Sequence, residues 1–148
     1  ERVPSAQSYK SAALTGHQLK FHKVNRDGSG KCDIQKTSLD DDIVYGVIYT
    51  IAPAEVIKLD QAEGLGHGYD KKDVKLTVLD DQSTIAAFTY YATDINPTLK
   101  PYSWYKNHVL IGATEHGLPE EYIQGIKDVE ESEDPKGDRD RRERQIYE

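Results

Sequence analysis

The sequence predicts an α+β fold on three observations. Residues 19–34 and 74–93 each read as two strands joined by a polar turn, residues 43–51 form a run rich in β-branched residues and tyrosine, and helical patterns begin at Pro53 and Tyr102. In residues 19–24 apolar and polar side chains alternate, and Arg26-Asp27-Gly28-Ser29-Gly30 supplies the turn before a second strand through Ile34. Residues 43–51, interrupted only by Gly46, are expected to be buried on both faces and so to lie centrally in a sheet. Pro53 suits the first turn of a helix whose Val56, Ile57 and Leu59 face the core, and Gly64 ends it. Residues 74–79 and 85–93 flank Asp80-Asp81-Gln82-Ser83 as a second hairpin, and Pro97 and Pro101 mark a loop. From Tyr102 to His116 the side chains of Trp104, Tyr105, Val109, Leu110 and Ile111 keep helical spacing, and a shorter helix follows Pro119. Residues 1–130 are expected to be one domain. Residues 131–148, of mixed charge and almost without apolar side chains, are expected to form a flexible tail.

A chain of 148 residues fits one domain with a sizeable core. Its net charge of -7 argues against a nucleic-acid partner, because phosphate binding needs a clustered basic face. A small-molecule or protein partner is expected. The single Cys32 excludes an internal disulfide framework and paired-cysteine metal sites, which fits a reducing, cytoplasmic compartment. No apolar run approaches the roughly 18 residues that span a bilayer, so a soluble protein without a membrane partner is expected. Methionine is absent even at position 1, and a natural N-terminal segment is therefore expected to precede the sequence.

The strongest chemical signal is Ala62-Glu63-Gly64-Leu65-Gly66-His67-Gly68-Tyr69. Glycines at alternate positions let backbone approach a ligand, while a carboxylate in a partly desolvated pocket is suited to proton transfer near neutral pH. Taken alone, a helix ending in Glu-Gly reads first as an ordinary C-terminal cap, although a negative side chain in the last turn opposes the helix dipole. Other motifs fail on spacing. A calcium loop registered on Gly30 puts Lys36 where the bidentate Glu belongs, and one registered on Gly28 puts Ile34 there. The three glycines follow a helix, unlike a dinucleotide loop. His17, His22, His67, His108 and His116 show no metal-binding pattern, and Asp40-Asp41-Asp42 reads as a solvated loop, so no metal is implied. Cys32, in a strand without an evident base, reads as a structural thiol.

In order along the chain stand Pro4-Ser5-Ala6, Asp27-Gly28-Ser29-Gly30-Lys31 with Asp33-Ile34, Val44-Tyr45-Gly46-Val47-Ile48-Tyr49, Glu63-Gly64 with Tyr69, and Gly112-Ala113 with Glu115-His116-Gly117-Leu118-Pro119. Together they resemble the γ-glutamylcyclotransferases and γ-glutamylcyclotransferase-like proteins over residues 4 to about 125. The resemblance implies a mixed sheet closing towards a small barrel, with peripheral helices and a pocket at one mouth. The implied reaction is cofactor-free: the α-amino group of a γ-glutamyl amide attacks its own γ-carbonyl, giving 5-oxoproline and a free amine or amino acid. Glu63 matches the family's catalytic acid/base, and Tyr69 and Tyr105 match tyrosines that bind substrate. Tyr102 and Trp104 could shape the leaving-group side, with core packing the stronger expectation for the tryptophan. The family's Tyr-Gly-Ser-Asn loop, which follows its first strand and offers backbone amides to substrate, does not occur in the sequence. Two alternatives remain: a non-catalytic module binding a metabolite or protein on the same fold, and a cyclotransferase for γ-glutamylamines or a carrier-linked γ-glutamyl group.

Overall fold

The computed structural model describes residues 7–147. The Pro4-Ser5-Ala6 motif lies outside the described residues. Six strands run in chain order as β1 (Gln7–Thr15), β2 (His17–Val24), β3 (Gly30–Lys36), β4 (Ile43–Thr50), β5 (Tyr69–Val78) and β6 (Thr84–Ala92). Helix α1 (Pro53–Glu63) separates β4 from β5, and α2 (Ser103–Glu115), α3 (Glu120–Lys127) and α4 (Gly137–Arg144) follow β6. A 3₁₀ turn, Gln145–Tyr147, ends the described chain. The architecture is the expected α+β one, with a curled half-barrel sheet and helices around it.

Strands β4-β1-β5-β6 make an antiparallel sheet, and β2 and β3 form a separate hairpin. Both predicted hairpins are present. The first turns through Asp27, whose carboxylate accepts from the Ser29 N–H at 3.0 Å and the Ser29 hydroxyl at 2.5 Å, so this acidic loop is self-satisfied turn chemistry. Gly30 begins β3 where a Cβ would stand 2.0 Å from the Phe21 carbonyl oxygen, so only glycine lets the two strands approach there.

Several boundaries differ from expectation. Strand β4 is an edge of the described sheet; the central place beside it belongs to β1, which pairs with both β4 and β5. Its sequence is apolar because Val44 and Ile48 point inward, while Tyr49 is 53% exposed. Helix α1 buries none of its residues, and Ile57 is 65% exposed instead of core-facing. Val56 and Leu59 instead line an open apolar cavity of ≈ 630 Å³ between the helix and the sheet.

Residues 131–147 are not a free tail. Ser132 and Tyr102 form a parallel bridge, and the Asp134 side chain, 0% exposed, accepts from Trp104 Nε1 at 2.9 Å and from Arg139 Nη2 at 2.7 Å. His108 meets Glu143 at 3.0 Å and the Tyr147 hydroxyl, and Arg144 reaches Ser103 at 2.5 Å. Charge composition alone missed this, because the segment is ordered by specific ion pairs onto α2 and buries few apolar groups.

The main core gathers Phe21, Ala113, Leu118 and Ile126 between the β2–β3 hairpin, α2 and α3, and a second cluster joins Ala12, Ile48 and Val78 inside the sheet. Among the described residues no helix is long and apolar enough to cross a membrane.

Candidate active site

Glu63 is the last residue of α1, and Gly64 caps the helix in the left-handed conformation, its N–H bonded to the Gln61 carbonyl. The next turns are tight: His67 N–H donates to the Gly64 carbonyl and Gly66 N–H to the Tyr69 carbonyl. With Gly66 and Gly68 at φ 81° and 123°, the loop returns the chain directly into β5, so Tyr69 opens a strand close to the end of the helix. Glu63 is half-buried; burial is the main cause that raises the pKa of the Tyr69 and Tyr90 phenols, and the charge of Glu63 adds to the rise at both.

Tyr69 and Tyr105 meet at the backbone of one residue, Cys32. The Tyr69 hydroxyl donates to the Cys32 carbonyl at 2.8 Å, and the Cys32 N–H donates to the Tyr105 hydroxyl oxygen at 3.0 Å. Two side chains 36 positions apart in sequence are thereby fixed against the middle of β3. Burial is the largest cause of the upward shift in both phenols, with the charges of Cys32, Glu63 and Asp33 adding to it at Tyr69. Both remain neutral hydrogen-bonding groups across the physiological range. Burial also pushes the Cys32 thiol up to about 11, which makes it a packed side chain and not a nucleophile.

Around this centre lie contacts that the sequence did not announce. Asp33, next to Cys32, accepts from the Ala92 N–H at 2.7 Å and pairs with His22 Nε2 at 2.6 Å; both side chains are buried. That dyad ties the β2–β3 hairpin to β6 behind the tyrosines. One turn before Glu63, Asp60 accepts from Lys71 at 2.9 Å and from the Tyr90 hydroxyl, holding α1 on β5 and β6. The hydroxyl bond to Tyr90 and the ammonium of Lys71 keep the Asp60 carboxyl below the usual carboxylate range. Lys31 lies 4.1 Å from the Tyr105 ring centroid and 4.6 Å from that of Trp104, and Trp104 packs edge-on against Tyr105. Trp104 is buried, in the packing role expected for it. The hairpin turn was the available signal for His22 and Asp33, since counting outward from it brings positions 22 and 33 close together. No sequence signal marked Cys32, because its contacts with the two tyrosines are made by backbone atoms.

Among the described residues no group of three or more histidine, cysteine or acidic side chains is placed to hold a metal ion. The available chemistry is the Glu63 carboxylate, two neutral phenols and flanking lysines, with the carboxylates of Asp33 and Asp60 engaged by His22, Lys71 and Tyr90. That set can move a proton and orient a polar substrate without redox or Lewis-acid groups of its own.

A family model described as the AIG2-like family matches residues 43–126, which include Glu63, Tyr69 and Tyr105, and the chain belongs to this γ-glutamylcyclotransferase-like family. It is 30% identical over 93 residues to the gamma-glutamylcyclotransferase of Mus musculus, a match covering 62% of this chain and 48% of that protein. The chain thus spans about half the length of the curated relative it matches. Two solved structures, an uncharacterized protein from Homo sapiens and a gamma-glutamyl cyclotransferase, each superpose with a TM-score of 0.80 at 28% identity, covering 88% of this chain and 79% of theirs. YkqA from Bacillus subtilis shares the fold at a TM-score of 0.72 and 17% identity, over 85% of this chain and 46% of that one.

Proposed function

We propose that the protein is a cyclotransferase acting on a γ-glutamyl amide, with Glu63 as acid/base and Tyr69 and Tyr105 as substrate-binding groups. The observation that carries the reading is that Tyr69 and Tyr105 are both hydrogen-bonded to the backbone of Cys32, with the charge of Glu63 near enough to be felt at Tyr69, within a chain similar to proteins named for this activity. In the reaction the substrate's α-ammonium gives a proton to Glu63, and the freed amine attacks the γ-carbonyl carbon. The new carbon–nitrogen bond closes the five-membered ring. The old amide bond then breaks, its nitrogen taking the proton from Glu63; the ring nitrogen gives up its second proton to the same carboxylate, which passes it to the departing amine, so that 5-oxoproline and an amine or amino acid in its ammonium form leave. Nucleophile and electrophile belong to one molecule, so the protein's main task is to fold the substrate into an attack geometry and stabilise the oxyanion.

The test is release of 5-oxoproline from γ-glutamyl dipeptides and γ-glutamylamines by the full-length protein beside its Glu63→Gln variant. Turnover that vanishes in the variant, with its melting temperature kept, supports the reading. Turnover that survives removes Glu63 from the chemistry. A second reading, a binding module without turnover, is favoured by the engagement of both tyrosine hydroxyls with backbone instead of an open pocket. Tight binding of a γ-glutamyl amide with no 5-oxoproline release would establish it.

A further inference from the structure

We propose that Lys23 binds a carboxylate of the substrate and is a specificity-determining residue of this site; the inference rests on the cyclotransferase reading. Lys23 stands at an irregularity of β2, where the pairing with β3 shifts register between Lys20 and Lys23. Its ammonium lies over the Tyr69 ring, 4.8 Å from the centroid. Three other lysines lie over rings in the same way, and each has a second partner. Lys31 faces Asp27 at 3.8 Å, Lys71 pairs with Asp60 at 2.9 Å, and the Lys72 Nζ stands 2.9 Å from His17 Nε2. The Lys23 ammonium has no hydrogen-bond or ion-pair partner among the described residues, although its backbone pairs in the sheet with Lys31 and Ile95. A half-buried lysine whose ammonium is held only by a ring face keeps its three donors for a ligand.

The loop beside it is shaped to admit this lysine. A Cβ on Gly68 would stand 3.0 Å from Lys23 Cε and 3.2 Å from Nζ, and Gly68 has φ 123°, so glycine at that position lets the side chain lie against the loop that links Glu63 to Tyr69. The seven residues 63–69 thus carry the proposed proton carrier and a substrate-binding phenol, with an unpaired ammonium lying against them at Gly68 and the Tyr69 ring. In a protein of net charge -7, a cation left without a carboxylate at this place is matched to an anionic ligand. Every γ-glutamyl substrate carries an α-carboxylate, and an amino-acid leaving group carries a second one.

The experiment compares γ-glutamylalanine with γ-glutamylethylamine, which lacks only the leaving group's carboxylate, on wild type and on Lys23→Met, Lys23→Gln and Lys23→Arg. Loss of one charge-assisted contact raises KM roughly tenfold to a hundredfold in the two neutral variants with little change in kcat, and Lys23→Arg restores it. A rise on γ-glutamylalanine alone assigns Lys23 to the leaving-group carboxylate; an equal rise on both assigns it to the α-carboxylate. Unchanged KM on both substrates in a folded neutral variant overturns the inference and leaves the cyclotransferase reading standing. Absence of 5-oxoproline from wild type on both substrates overturns the two together.

Discussion

At the scale of single residues, the backbone of Cys32 is the point that joins the two tyrosines of the candidate site. Tyr105→Phe removes the acceptor of the Cys32 N–H, and we expect a loss of about 1 kcal/mol in unfolding free energy, read by denaturant titration. An unchanged midpoint would mean that this hydrogen bond has no net weight. The thiol makes a second prediction. With its folded pKa raised to about 11, Cys32 stays protonated in the native protein while an unfolded chain ionises at about 8.5. The native state therefore holds the extra proton between these values. The stability this contributes is fully present below about pH 8.5 and is lost as pH rises towards 11. Melting temperature should fall across that window in wild type and fall less in Cys32→Ala. Native protein at pH 8 should also react with a thiol reagent far more slowly than urea-unfolded protein.

At the scale of elements, two glycines separate necessity from tolerance. Gly30→Ala drives a methyl group into the Phe21 carbonyl and should cost about 3 kcal/mol, the upper end of usual overpacking, with loss of the β2–β3 hairpin. Gly112→Ala adds its methyl to open space within α2 and should stabilise by about 0.5–1 kcal/mol. Thermal melts of the two variants should therefore move in opposite directions. The clasp formed by α4 has its own signature. Arg139, first among several donors, holds the Asp134 carboxyl far below the usual carboxylate range, so its contribution is present above about pH 4 and is lost as pH falls. Asp134→Asn should lower the melting temperature at pH 7 and flatten its decline towards pH 3. An identical acid profile in the variant would show that the pair does not hold the segment.

At the scale of the whole molecule, the hairpins, the order of helices and the position of Glu63 were legible in the sequence because each is written in local pattern: alternation, turn residues, a proline at a helix start and a glycine at its end. What was not legible is non-local. Nothing in residues 43–51 tells an edge strand from a central one, since inward Val44 and Ile48 need only one covered face. The docking of residues 131–147 depends on Asp134 finding Trp104 and Arg139, a match between distant charges that composition averages away. Tyr69 and Tyr105 were visible as candidates, whereas their meeting at Cys32 required the fold. The placement of β1 has one more consequence. It pairs with β4, whose register joins Ala12 to Gly46, and with β5, whose register joins Ala12 to Val78, so the middle of the sheet is zipped by segments 34 and 66 positions away along the chain. Such closures are slow, because the entropy of a large loop is lost before its contacts form. The β5–β6 hairpin, closed through the five residues 79–83, is the natural place for refolding to start, and arrival of β1 is the event that later sets its pace.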